Sequence, residues 1–297
     1  MLSGPIITVS RLSRLAEILA QWRAQELTVA LVSTLGSLHR GHLALVKAAA
    51  RQANRVVVCA YPNPLQFAPG DRQERYPRAH EKDAEAILGA GGHVLFTPAD
   101  FDLFPIGVEG GTRIDIPDLT QILCGRSRPE LYPGLLTVTA KLLHAIRPNV
   151  LVVGEKDYQL LVLLRRMTAD LLLPVTVASV PTVREHDGLA MSTGNRLLSL
   201  RERNIASRLY EMLTAIRRRL LKGERDYAAL QDFGMKILER AGFNPEYVAI
   251  RQAVDLSPVR EETQHFAVFA AARLGAARLS DNIVFKTEAA QRGPDAS

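Results

Sequence analysis

The sequence predicts an α/β protein: a doubly wound parallel sheet followed by a smaller C-terminal α+β domain. Three observations carry this. Short apolar strands alternate with helices along the first 180 residues. The alternation stops near residue 183. Two helices and then three strand-like runs follow, with no helix between the strands.

TVALV (28–32) and RVVVCAY (55–61) read as strands, each an apolar or β-branched run bounded by polar residues. Between them GHLALVKAAARQAN places Leu43, Val46, Ala49 and Ala50 at helical spacing. Strand, helix and strand in about 35 residues make a βαβ unit, which demands parallel pairing and a right-handed crossover. The unit recurs as helix 79–90 before HVLFT, helix 135–146 before NVLVV, and helix 157–172 before VTVASV. Ligands of such a sheet bind at the carboxyl ends of its strands. After residue 183, stretches 199–222 and 226–241 read as helices, and 247–253, 265–273 and 278–285 as an antiparallel sheet. The predicted domains are 1–183 and 184–286, with 287–297 a disordered tail. The Arg217–Arg219 run reads as a solvated helix face.

Composition narrows the class. A chain of 297 residues, 47% hydrophobic and 23% charged, buries enough surface to need neither metal nor disulfide, and it is not collagenous or disordered. Charge or Gly/Pro interrupts each apolar run before the roughly 18 residues a membrane span needs. MLSGPIITVSR has no basic segment ahead of its apolar stretch and reads as no signal peptide. Cys59 and Cys124 match no metal spacing and read as reduced thiols of a cytoplasmic protein. The net charge of +6 is spread along the chain without a basic tail or interleaved aromatics. That pattern favours phosphorylated small molecules over nucleic acid.

Four clusters sit at strand ends. In STLGSLHRGH (33–42), Gly36 lets the backbone approach a phosphate, and Gly41 lets the helix N-terminus pack close to it. His39 and His42, three apart in the first helical turn, share a face where helix amides favour anions; there they can donate to a triphosphate whose anhydride bond is breaking. PNPLQF (62–67) presents the neutral amides of Asn63 and Gln66 on a rigid loop, suited to a hydroxylated substrate. In GEKDYQ (154–159), Gly154 permits close approach, Asp157 caps a helix or accepts from ribose, and Lys156 supplies a point charge for phosphate. MSTGN (191–195), at the start of the second domain, offers two hydroxyls on a loop that can close over a nucleotide from the opposite side; a plain cap or turn is the alternative.

With RYPR (75–78), LCGRSRP (123–129), VPTVRE (180–185), DGLAMSTGN (187–195) and RLSDN (278–282), these motifs resemble the pantothenate synthetase family, the pantoate–β-alanine ligases, over about residues 6–285. The resemblance implies a Rossmann-like N-terminal domain of the HxGH nucleotidyltransferase superfamily and a cytoplasmic homodimer. It also implies an ATP- and Mg²⁺-dependent reaction. Pantoate attacks ATP to give pantoyl adenylate and pyrophosphate; the amine of β-alanine then displaces AMP. It assigns ATP to Thr34, Leu35, Gly36, Ser37, Leu38, His39, Arg40, Gly41 and His42, to Gly154, Glu155, Lys156 and Asp157, and to Val183, Met191, Ser192 and Thr193. His42, His39 and Lys156 are the catalytic positions. Gln66, Asn63 and Arg128 fall on the pocket for pantoate and β-alanine, and magnesium travels with the ATP phosphates rather than in a protein site.

The chain departs from the family pattern inside several motifs. Leu35 replaces Met, Pro133 and Gly194 each replace an Arg, and Leu160 replaces a Gln that would meet pantoate. A lost charge-assisted hydrogen bond is worth roughly 1.5–3 kcal/mol, so the changes at Pro133, Leu160 and Gly194 predict reduced activity, while Leu35 is a mild one. Two other readings follow from them: a weakened homologue acting as a nucleotide-binding partner, and a sister nucleotidyltransferase that stops at adenylate transfer.

Overall fold

A computed structural model describes residues 5–67 and 79–287. The RYPR motif and tail residues 288–297 lie outside the described residues. The chain divides into two compact units, Met1–Glu155 with Leu163–Pro181, and Lys156–Val162 with Thr182–Ser297. The division falls close to residue 183, but it assigns the short Lys156–Val162 stretch to the second unit.

The first unit holds a six-stranded, wholly parallel sheet in the order β1-β4-β3-β2-β5-β6. Its strands are β1 (Ile7–Val9), β2 (Val29–Thr34), β3 (Arg55–Ala60), β4 (Val94–Phe96), β5 (Val150–Gly154) and β6 (Thr176–Val180). Side chains alternate across a strand, so Ala30, Val32, Val56, Val58 and Val152 share one face, where Val46 of α2 (Arg40–Ala50) and Ile87 of α3 (His80–Gly89) cover them. Leu31, Val57, Cys59 and Leu151 point the other way and are equally buried. Burial on both faces is why these strands read as continuous apolar runs.

Two predicted details change. Helix α2 ends at Ala50 rather than continuing through RQAN, and Ala48, not the exposed Ala50, joins the core. A strand and helix also precede the first predicted pair, β1 and α1 (Leu12–Ala24), the latter burying Leu15, Ile18, Leu19 and Trp22. Three one-turn helices, α4 (Asp100–Leu103), α5 (Pro117–Thr120) and α6 (Cys124–Ser127), lead to α7 (Leu131–Ile146). Cys59 and Cys124 form no disulfide, and burial pushes the Cys59 thiol far above its usual range.

Helix α8 (Tyr158–Asp170) follows β5. In the second unit the single predicted helix 199–222 is two, α9 (Leu200–Ala206) and α10 (Arg208–Leu221), separated at Ser207. With α11 (Tyr227–Arg240) they precede an antiparallel sheet of β7 (Asn244–Gln252), β8 (His265–Leu274) and β9 (Ala277–Lys286). Leu213 and Ile216 of α10 and Leu230 of α11 pack with Ile250, Phe266 and Val268 of the sheet. Arg217 and Arg218 lie on the solvated face, whereas Arg219 pairs with Glu224 at 2.5 Å and covers the Phe233 ring. Thr287, assigned to the tail, is buried and donates its N–H to the Gln264 carbonyl at 2.9 Å. No helix among the described residues is long and apolar enough to cross a membrane.

Candidate functional site

In the first unit the sheet reverses its winding at β2, which has β3 on one side and β5 on the other. The carboxyl ends of β2 and β5 therefore flank the crevice where doubly wound sheets bind ligands. The STLGSLHRGH loop leaves β2 at this point.

The loop is held from inside. Thr34 Oγ1 accepts the Gly36 N–H at 2.7 Å, and Gly36 adopts φ +88°, a left-handed conformation that favours glycine. Ser37 follows at φ +52°. The N–H groups of Ser37 and Leu38 both donate to the carboxylate of Asp83, each at 2.8 Å. Asp83 is 3% exposed, on the face of α3 that also buries Ile87. Asp83, to which the sequence expectation gives no role, is the acceptor that shapes the turn around Gly36, the position expected to let the backbone approach a phosphate.

His39 is the N-cap of α2 with an extended backbone rather than a member of its first turn. Its Nδ1 accepts the Gly41 N–H at 3.1 Å, and Nδ1 of His42 accepts the His39 N–H at 3.3 Å. The two rings stack with centroids 3.9 Å apart and planes 21° from parallel. With each Nδ1 an acceptor, a neutral ring carries its proton on Nε2. The structure thus pairs two imidazole donors at a helix N-terminus, where the dipole favours negative charge. Leu35 is half-buried, and Arg40 is exposed at the first helical position.

At the end of β3, the Asn63 side chain is fully buried. Its Oδ1 accepts the Leu65 N–H at 3.1 Å, and its Nδ2 donates to the Gly134 carbonyl at 3.1 Å. Asn63 therefore locks the 3₁₀ turn Pro64–Gln66 onto α7 instead of presenting a free amide, a correction to the sequence reading. Gly134 makes the lock possible, since a Cβ there would lie 2.5 Å from Leu65 Cβ. Pro133 occupies the first turn of α7, where a missing N–H is tolerated. Arg128 donates from Nη2 to the Gln66 carbonyl at 2.5 Å, so the structure brings these two predicted substrate residues together. The Gln66 side-chain amide has no hydrogen-bond partner among the described residues.

Gly154 closes β5 with no backbone need for glycine. An added Cβ would make an ordinary 3.6 Å contact with Leu45, so the fold leaves the space beside it open. Glu155 Oε1 accepts from Ser179 Oγ on β6 at 2.8 Å.

The second unit carries the other predicted residues. Asp157 Oδ1 accepts the Leu160 N–H at 3.1 Å, the predicted cap of α8. The Lys156 carbonyl accepts from Asn282 Nδ2 at 2.9 Å, while its ammonium has no partner among the described residues. Val183 and Met191 face each other across a hairpin, with the Met191 N–H donating to the Val183 carbonyl at 3.0 Å. Ser192 Oγ accepts the Gly194 N–H at 3.2 Å and caps a 3₁₀ turn, Thr193–Leu197. The Ser192 hydroxyl thus caps its own turn. The hairpin is tied by Arg184, which grips Asp281 at 2.6 and 3.1 Å. Asp83, Gly134 and Asn282 are the residues a reading of the sequence misses.

A family model described as pantoate-beta-alanine ligase matches residues 7–284. The chain is 41% identical over 277 residues to the pantothenate synthetase of Ectopseudomonas mendocina, covering 93% of this chain and 97% of that protein. The crystal structure of pantothenate synthetase from Thermus thermophilus superposes with a TM-score of 0.86 at 38% identity, covering 94% of this chain and 99% of that one. A pantoate-beta-alanine ligase from Francisella tularensis, described as complexed with beta-gamma ATP and beta-alanine, superposes with a TM-score of 0.77 at 28% identity, covering 94% and 97%.

Proposed function

The chain belongs to the pantoate–β-alanine ligase family, and on that premise we propose how its residues divide the reaction. The enzyme condenses pantoate with β-alanine at the expense of ATP. The pantoate carboxylate attacks the α-phosphate, the bond to pyrophosphate breaks, and pantoyl adenylate forms. The β-alanine nitrogen then attacks the acyl carbon, AMP leaves, and the amine loses a proton. A carboxylate is a poor acyl donor, and adenylation supplies the leaving group it lacks.

The observation that carries this division is the stacked His39–His42 pair at the start of α2. Two Nε2–H donors stabilise charge that grows on the departing pyrophosphate, with His42 the principal catalytic group. Thr34 to His42 shape the ATP site, Asp83 holding the turn from behind. Gly154 lets the nucleotide approach β5. Lys156 offsets charge at the α-phosphate, Asp157 holds the helix start behind it, and Glu155 braces the turn through Ser179. Val183, Met191, Ser192 and Thr193 meet the nucleotide through groups not used in the hairpin and cap. Gln66 binds pantoate and β-alanine through its unpartnered amide, positioned by Arg128 and by Asn63.

By family resemblance, magnesium enters with the ATP phosphates rather than in a protein site. The ligand description of the Francisella enzyme supports ATP and β-alanine as substrates here. A homodimer in the cytoplasm completes the reading by family resemblance.

The test omits the amine. ATP, Mg²⁺ and pantoate alone release about one pyrophosphate per site and then stop, and β-alanine restarts turnover with AMP release. Sustained pyrophosphate release without amine, or none in the presence of bound ATP, overturns the reading.

A further inference from the structure

The RLSDN run at 278–282 carries the family resemblance but has no part in the reaction as divided above. It forms the middle of β9, and the register pairs Asp281 with Ala270 and Asn282 with Phe269 of β8. Both side chains are buried, 4% and 5% exposed, on opposite faces of the strand, Asp281 on the face that carries Leu279, Ile283 and Phe285. Burying a carboxylate and an amide costs free energy unless each finds partners.

The partners are specific. Asp281 receives the Arg184 guanidinium through both carboxylate oxygens, and its Oδ1 also accepts the Asn282 N–H at 2.8 Å. Arg184 donates further to the Asn282 carbonyl at 3.3 Å and to the Gly188 carbonyl at 3.0 Å, and it stacks 3.7 Å over the Tyr210 ring. The backbone of Asn282 is thus gripped at its N–H and at its C=O. What this fixed residue extends is one amide, and Nδ2 of that amide donates to the carbonyl of Lys156, 126 positions earlier in the chain.

We infer that Asn282 is a positioning residue for Lys156. The inference rests on the assignment of Lys156 to the α-phosphate. An ammonium on a four-carbon stem is a mobile point charge whose reach is set by where its main chain is held. Lys156 lies in the single 3₁₀ turn Glu155–Asp157, which has little internal rigidity of its own. The Asn282 bond fixes that turn from the side of β9. The Arg184–Asp281 pair fixes Asn282, and through the same guanidinium the hairpin that carries Val183 and Met191. The middle of β9 therefore anchors both segments of the second unit that are assigned to ATP.

Misplacing a reacting group by about 1 Å costs roughly 10²-fold in rate, which sets the scale of the test. Pyrophosphate release from ATP and pantoate is measured in single turnovers for Asn282→Ala, Lys156→Ala and the double variant. Each is normalised to its own burst amplitude, so unfolded protein does not count. Asn282→Leu, which keeps volume but removes the donor, is run beside Asn282→Ala. The expected result is a slowing of about 10- to 100-fold for both Asn282 variants, with KM for ATP within about threefold of the parent. In the Lys156→Ala background, Asn282→Ala slows the step no further. If the double variant is slower than Lys156→Ala by the full Asn282 factor, Asn282 acts elsewhere and the inference fails while the role of Lys156 stands. A Lys156→Ala protein with the parent rate removes the assignment of Lys156 itself, and the inference with it.

Discussion

The two sets of residues assigned to ATP are held by opposite means. At the end of β2, three bonds that shape the histidine loop join residues two or three apart: Thr34 to Gly36, His39 to Gly41, His42 to His39. Asp83 adds two more from α3. Around Lys156 and the 183–191 hairpin, the decisive bonds come from β9, across 126 positions at Lys156 and 97 at Arg184. A locally fixed site tolerates distant change and fails when its own residues change. A remotely fixed site can be disabled from a strand that touches no substrate.

The largest effect that sharpens this contrast belongs to the histidines. His42→Ala should slow pyrophosphate release in single turnovers by roughly 10²–10³, the usual cost of losing one preorganised donor, while ATP affinity changes far less. A rate within about threefold of the parent would break the assignment.

Next comes the exception in the local set. Asp83→Ala removes the acceptor of the buried Ser37 N–H and the half-buried Leu38 N–H, and such a loss costs about 1–3 kcal/mol for a buried group. Urea unfolding should register several kcal/mol together with weakened ATP binding. Asp83→Asn, which keeps one carbonyl oxygen, should fall between this variant and the parent. Equal stability for all three would mean that the turn needs no support from α3.

The smallest effect compares the two units in acid. Burial lowers the pKa of His93 in the first unit, with Arg55 adding to the shift, and burial with Lys286 lowers that of His265 in the second. A histidine whose folded pKa lies below its unfolded value of about 6.5 binds more protons when unfolded, so stability falls as pH drops below that value. His93 Nδ1 accepts the Val56 N–H at 3.2 Å, an acceptor that Asn can imitate. His93→Asn should therefore flatten the fall of Tm between pH 7 and pH 5, leaving the part due to His265. An unchanged slope would place the acid sensitivity in the second unit alone.

How far the sequence discloses the molecule follows the same division. The strands at 29–34, 55–60 and 150–154 are legible because burial on both faces leaves apolar runs at 29–32, 56–60 and 150–153. The histidine loop is legible because its residue types and spacing lie within ten positions. Strand β1 escapes because three residues, two of them exposed, carry no pattern. The break at Ser207 escapes because apolar spacing continues through it. Asp83 looks like an ordinary acid in the first turn of a helix, although its place four before the buried Ile87 marks it as facing inward. Asn63 reads as a substrate amide because nothing in PNPLQF announces that Gly134 waits for its donor. Asn282 is marked by the RLSDN motif, but nothing local to that motif announces its role, since its partner lies 126 residues away.

The strand order has a consequence for how the chain is made. Residues 7–96 contain four of the six strands and three of the five pairings, β1 with β4, β4 with β3, and β3 with β2. The pairing of Val32 with Val152 waits for β5, more than fifty residues later. Until then β2, which ends in the histidine loop, is the open edge of a growing sheet, with one row of backbone donors and acceptors unpaired. During synthesis the segment most important to chemistry is also the one most open to pairing with a neighbouring chain. A ribosome pausing between residues 97 and 149 would hold it in that condition, and the arrival of β5 both seals the edge and finishes the crevice.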